Sequence, residues 1–332
     1  MLDDRKPHAP AASRTPRPGG RLRRAVLTLI VLASVSVPVM GRAHTGAVAA
    51  PGPVAFLRLP AMTPEALAER YAAGRQAVEA AERMAVAHGH RSRAGALRAL
   101  SDPARRLLYF DGRGGGRAVE VHGDLPSAER IAVLVPGSDT NLDKYGLLHG
   151  GALRLRRELG DTAAVIAWLY RTPATGSLAA LTAGLADEAA PDLRAFIGDL
   201  AAARPTARVS LLCHSYGTVV CARAAPGLEV GDIVLYGSAG TGADDVAALR
   251  TRARVWAGRS GGDWIAHVPY TRLRLPFTTV GFGTDPVSPR FGARVFAAGD
   301  GGHSDYLRDG TSLRNIARIV SGRAPSEAGR GE

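Results

Sequence analysis

The stretch Arg208 to Val220, RVSLLCHSYGTVV, constrains the fold more than any other part of the chain. Val209 to Leu212 are strand formers, Cys213-His214-Ser215-Tyr216-Gly217 follow at once, and the small and apolar residues from Thr218 can open a helix. A strand that turns sharply into a helix with serine at the apex is a nucleophile elbow. The serine takes strained backbone geometry, and small residues two positions to either side let strand and helix approach. Ser215 is the apex and Gly217 the downstream small residue. Cys213 stands upstream where glycine is usual, and a thiol is small enough for the crowded side of the turn. A buried strand ending in an ordinary polar turn would read the same way locally, so the residues downstream decide.

The surrounding pattern is α/β. Ile131 to Val135 and Ala163 to Leu169 are continuous apolar runs, as expected of strands buried on both faces. Further strands are predicted at Val209 to Leu212, Ile233 to Tyr236, Arg254 to Ala257 and Ala293 to Ala297. Helices are predicted at Ser177 to Ala203, Thr218 to Ala225 and Asp244 to Arg250. Alternation of this kind implies a mostly parallel central sheet with helices on both faces, and ligands of such sheets bind outside the strand carboxyl ends. Upstream, Arg106 to Phe110 and Arg117 to His122 read as two strands joined by Gly112-Arg113-Gly114-Gly115-Gly116. Those glycines lead into a strand instead of opening a helix, which argues against a phosphate loop. Thr63-Pro64-Glu65 is a helix start, and Leu67, Tyr71, Val78 and Ala85 recur at helical spacing. The segment to about Leu100 is therefore expected as a helical appendage that covers one side of the sheet; a cap over the site is the alternative.

Attack by Ser215 on an acyl carbon requires a base, an acid to orient it, and donors for the oxyanion. In strand-turn-helix elbows of this type the partners follow in the order serine, acid, histidine. Only His267 and His303 follow Ser215. His303 lies in Gly299-Asp300-Gly301-Gly302-His303, directly after the last predicted strand, and is the candidate base. Asp263, in the turn after the strand at 254 to 257, is the candidate acid, with Asp285 in reserve. The oxyanion donors are expected to be the N–H of Tyr216 and one from Gly137 or Ser138, since Pro136 has no N–H to give. Trp264 to Arg290, with Tyr270, Leu273, Leu275, Phe277 and Phe282, is expected to wall an acyl pocket.

Several of these stretches together resemble a bacterial α/β-hydrolase family long catalogued as a domain of unknown function. They are Gly123-Asp124 with Ala128 to Gly137 (AERIAVLVPG), His214-Ser215-Tyr216-Gly217-Thr218, Gly283-Thr284-Asp285-Pro286 with Phe291 to Phe296 (FGARVF), and His303-Ser304-Asp305-Tyr306-Leu307. The resemblance covers roughly Arg105 to Val320. It implies the α/β-hydrolase fold and a Ser215, Asp263, His303 triad, and it supplies no substrate. The expected activity is that of a serine hydrolase cleaving a small-molecule or lipid ester through an acyl-enzyme. An acyltransferase using the same residues and a non-catalytic binding protein of the same fold are the alternatives.

Charge bears on partners and location. Of the net +12, residues 1–50 carry +6, from eight Lys/Arg against Asp3 and Asp4. The remainder is nearly all arginine without a dense basic run, and aromatics are 5%, so no nucleic-acid partner is expected. Arg21 to Arg24, the apolar run Ala25 to Met40 and Ala47-Val48-Ala49 read as a secretory signal, with an uncleaved anchor as the alternative. The protein is thus expected outside the cell, with membrane or cell-envelope association through its N-terminus. The two cysteines, Cys213 and Cys221, are expected as buried thiols. No metal-ligand spacing is present, so no metal and no cofactor is expected. The expected domains are 1–50 signal or anchor, 51–61 linker, 62–103 helical appendage, 104–322 hydrolase domain and 323–332 flexible tail.

Overall fold

The structure is a computed structural model and describes Leu59 and residues 62–326. The expected signal or anchor, most of the linker and the end of the tail lie outside the described residues. Eight strands form one sheet in the order β1-β2-β4-β3-β5-β6-β7-β10: β1 Arg106–Asp111, β2 Arg117–His122, β3 Arg130–Val135, β4 Ala163–Leu169, β5 Arg208–His214, β6 Asp232–Tyr236, β7 Arg254–Gly258 and β10 Arg294–Val295. β1 pairs antiparallel with β2, and β2 with β4, whereas the six strands from β4 to β10 run parallel. The apolar runs behave as two-sided strands: every residue of β4 is buried.

Alternate side chains of β3 feed two cores. Ile131, Val133 and Val135 pack with α4 (Gly184–Ala203) and α5 (Gly217–Ala224) on one face. Ala132 and Leu134 pack with α3 (Gly146–Leu159) and α6 (Thr311–Val320) on the other. Neither α3 nor α6 is among the helices expected from the sequence, although α6 has a clean apolar face of Leu313, Ile316, Ala317 and Val320. The helix expected at Asp244 to Arg250 is one short 3-10 turn, Ala247–Leu249. That expected from Ser177 is a 3-10 turn, Leu178–Leu181, before α4.

The N-terminal segment is two helices, α1 Pro64–Ala87 and α2 Arg91–Leu100, broken where Gly89 takes φ 73°. Thr63 Oγ1 accepts the Ala66 N–H and caps α1, with proline in the first turn. α1 gives Leu67 to one core and Val78, Ala81 and Ala85 to the other, so it wraps the free edge of β1. A Cβ on Gly74 would lie 2.6 Å from the Leu107 carbonyl oxygen, which is why the helix can approach so closely there. The pair covers the sheet edge and is no cap. Buried Arg93 of α2 donates to Gly112 O, Gly114 O and both carboxylate oxygens of Asp143. The glycine-rich turn is thereby a docking point for a guanidinium.

At the other end, residues 323–326, expected as the start of a flexible tail, are held. The Ala297 N–H donates to Ser326 O, and the Asn315 amide donates to Ser326 Oγ at 2.8 Å.

Candidate active site

The elbow forms as β5 turns into α5. Ser215 adopts φ 50°, the left-handed region that residues bearing a side chain usually avoid. Its N–H donates to Tyr236 O, and its carbonyl accepts from Thr218 N–H and, at 2.6 Å, Thr218 Oγ1. Gly217 has to be glycine: a Cβ there would sit 2.4 Å from Val135 O and 2.6 Å from Pro136 O. The upstream cysteine differs from expectation. Cys213 and Cys221 form a disulfide across the elbow, with their Cα atoms 6.4 Å apart, instead of remaining thiols. The first turn of α5 folds back beside the end of β5, which brings a helix residue eight positions on against the strand.

His303 Nε2 lies 2.9 Å from Ser215 Oγ, and His303 Nδ1 lies 2.9 and 3.1 Å from the two oxygens of Asp263. Asp263 is 1% exposed. It also accepts from Tyr306 OH at 2.6 Å and from Ile265 N–H. Burial pushes its carboxyl up, but the hydrogen bonds from His303, Tyr306 and Ile265 outweigh that and hold it below the ordinary range. Asp285 is not part of this group. It pairs with Arg259 and accepts from Val287 N–H, so it organises its own turn before a proline. His267 faces solvent and contacts Trp264 O.

His214 and Tyr306 complete the site, and nothing local in the sequence marks either for a role there. His214 Nε2 donates to His303 O at 2.7 Å, and its ring packs on Tyr236, His303 and Tyr306. Burial, with His303 beside it, drives its pKa down to about 3, so it is neutral. Tyr306 OH also accepts the Ser260 N–H, tying the Asp263 turn to the His303 loop. Trp264 leans over the His303 ring at 4.8 Å between centroids.

Gly137 lies against the serine, where an added Cβ would be 2.6 Å from Ser215 Cβ. Among the described residues, the N–H groups of Gly137, Ser138 and Tyr216 donate to no protein acceptor, whereas that of Asp139 is used by Pro173 O. A cleft opens beside His303, lined by Thr140, Leu147, Gly151, Arg154 and Leu307. The segment expected to wall an acyl pocket divides instead. Phe282 is buried edge-on to Tyr216 and Tyr270 donates inward to Ser238 O, but Leu273, Leu275 and Phe277 face outward.

One group of described residues has donor atoms close enough for a cation: Glu120, His122 and His149, within 4.8 Å of one another. The Arg105 guanidinium already grips both Glu120 oxygens at 2.6 and 2.7 Å, supplying the positive charge that a cation would bring.

An α/β-hydrolase family model matches residues 111–273. The chain is an α/β-hydrolase-fold protein. The matched span contains Ser215 and Asp263 and ends before His303. Similar solved structures include esterase PE8, at 18% identity and TM-score 0.43, covering 61% of this chain and 96% of that one. An α/β serine hydrolase without lid from Xanthomonas campestris is 19% identical at TM-score 0.43, covering 68% and 98%. A serine hydrolase homologue from Coxiella burnetii is 10% identical at TM-score 0.40, covering 66% and 95%. Among curated proteins none matches the chain.

Proposed function

We propose that the protein is a secreted serine hydrolase that cleaves a carboxylic ester of a small molecule or lipid through an acyl-enzyme. The observation that carries this reading is the contact of Ser215 Oγ with His303 Nε2 at 2.9 Å, with Asp263 behind the imidazole. As Oγ attacks the acyl carbon, His303 Nε2 takes its proton. Asp263 holds the proton on Nδ1 and stabilises the imidazolium. The oxyanion accepts from Tyr216 N–H and from the N–H of Ser138 or Gly137, groups that have no other protein acceptor. His303 then returns the proton to the departing alcohol, and water repeats the sequence to free the acid and Ser215. No step calls on a metal or a cofactor.

Export is supported by the basic and apolar pattern of residues 1–50 and by the disulfide, which persists in oxidising compartments.

The test is fluorophosphonate labelling of wild type and Ser215→Ala, followed by turnover of esters of graded acyl length. Labelling of wild type alone, with ester turnover, is expected. Folded wild type that resists the probe would overturn the reading. Added alcohol capturing the acyl group faster than water does would make the protein an acyltransferase.

A further inference from the structure

We propose that the rim beside Ser215 docks on an anionic lipid surface, which deepens the reading of the protein as an ester hydrolase by giving it a lipid ester as substrate. The exposed large hydrophobic side chains among the described residues are unevenly placed. Leu178, Trp264, Leu273, Leu275 and Phe277 are 78, 49, 54, 45 and 101% exposed. These are five of the eight exposed large hydrophobic side chains among the described residues, and they belong to two segments that border the site; Val86 and Leu153 lie on α1 and α3, and Leu147 of α3 lines the cleft beside His303.

Leu273–Arg274 (β8) and Thr279–Val280 (β9) form a two-stranded hairpin with Phe277 at its tip. Leu273 and Leu275, two residues apart, share a face of the ribbon. The hairpin base is fixed: Arg272 donates to Gly242 O and pairs with Asp244, and the Gly283 N–H donates to Thr271 O. The Gly281 N–H donates to Leu181 O, which joins the hairpin to the turn carrying Leu178. Thr182 O in turn accepts Tyr216 OH, beside the nucleophile, and Trp264 covers His303. The apolar tips are therefore mounted on the elements that position the catalytic groups.

Charge selects the occupant. Residues 172–186 and 264–284 contain no Asp or Glu, and their charged residues are Arg272 and Arg274. Arg272 is neutralised by Asp244, whereas Arg274 makes no ion pair among the described residues. Apolar segments that carry no acid of their own, whose neighbouring Asp187, Glu188 and Asp244 are each paired with an arginine, and which hold one free guanidinium complement a surface of acyl chains under anionic headgroups. A second copy of the chain would bring like charge to the same face.

Trp264 provides the test, because the other tryptophans, Trp168 and Trp256, are 2 and 8% exposed. Full-length wild type and Ser215→Ala are titrated with vesicles of phosphatidylcholine and phosphatidylglycerol. Trp264 emission is expected to shift to the blue in both, and Leu275→Asp with Phe277→Asp to weaken vesicle partitioning at least tenfold. Phe277→Ser is the milder partner variant. Arg274→Glu is expected to weaken binding to anionic vesicles more than to neutral ones. Attachment through residues 1–50 alone would leave the emission unmoved and would overturn the proposal. A shift undiminished in the hairpin variants, or one that follows protein concentration without vesicles and so reports self-association, would also overturn it. Fluorophosphonate labelling without an emission shift leaves the hydrolase reading standing and removes the docking; a shift without labelling does the reverse.

Discussion

Ser215 occupies a left-handed backbone position that costs an ordinary residue about 1–2 kcal/mol, and three hydrogen bonds to its own peptide groups hold it there. What leaves room for the turn is Gly217. Gly217→Ala places a methyl 2.4 Å from a backbone oxygen of β3, which cannot swing away as a side chain would. Turnover of a soluble ester is expected to fall at least ~100-fold, since a displacement of about 1 Å at the reacting group costs that much. Steady-state kinetics with a melting curve checks this, and unaltered kcat would show that the elbow does not need the glycine. Tyr306→Phe removes the hydroxyl that donates to Asp263 and accepts from Ser260 N–H. A roughly tenfold loss in kcat/KM and ~1–2 kcal/mol of stability are expected, read by kinetics and denaturant titration, with fluorophosphonate labelling slowed but retained. Chain order after Ser215 restricts the candidates to few, so the sequence points to Asp263 and His303, and the structure brings these two side chains together with Ser215. It does not point to Tyr306 and His214, because their partners lie 43 and 89 positions away and nothing local marks the encounter.

At the scale of elements, buried strands announce themselves by continuous apolar runs, and each long strand was legible to within two residues at either end. Helices of mixed composition were not. α3 opens on glycine and carries Gly150 and Gly151, and the latter lies against Leu307, so its composition reads as loop. The outward hairpin was read as a pocket wall because composition does not say which way a ribbon faces. The Cys213–Cys221 disulfide was missed for a related reason, since sequence separation does not give Cα distance across a tight turn. Closing so short a loop is expected to contribute ~2–3 kcal/mol in the loop-entropy account. The double variant Cys213→Ala, Cys221→Ala should lose about that much in denaturant titration. Reductant should lower the melting temperature of wild type toward that of the variant while leaving the variant unaffected. Equal stability of the two proteins would mean that packing alone holds β5 to α5.

For the whole molecule, the arrangement that builds the site also sets its tolerance of acid. His214 is surrounded by aromatic rings, and its pKa is depressed to about 3, against about 6.5 for an unfolded histidine. Between those values the unfolded chain binds a proton that the folded protein refuses, so stability is complete above pH 6.5 and falls as pH drops through that window. Asp263 and Glu120 act with the same sign at lower pH. For Glu120, burial pushes the carboxyl up, but His122 beside it and the contacts from His149 and Arg105 outweigh that and hold the carboxyl well below the ordinary range. For both acids the unfolded carboxylate protonates first, below about pH 4.5, and draws the equilibrium toward unfolding. Wild type should therefore lose stability in two stages on acidification, the first beginning near pH 6.5. Glutamine can place an N–H where His214 Nε2 donates to His303 O, yet it does not titrate. In His214→Gln the first stage should flatten while the second persists, as measured by urea titrations at half-unit steps from pH 7 to 4. A wild-type profile that is flat from pH 7 to 5 would show that the ring beside Ser215 accepts a proton without cost, and that its burial does not keep it neutral.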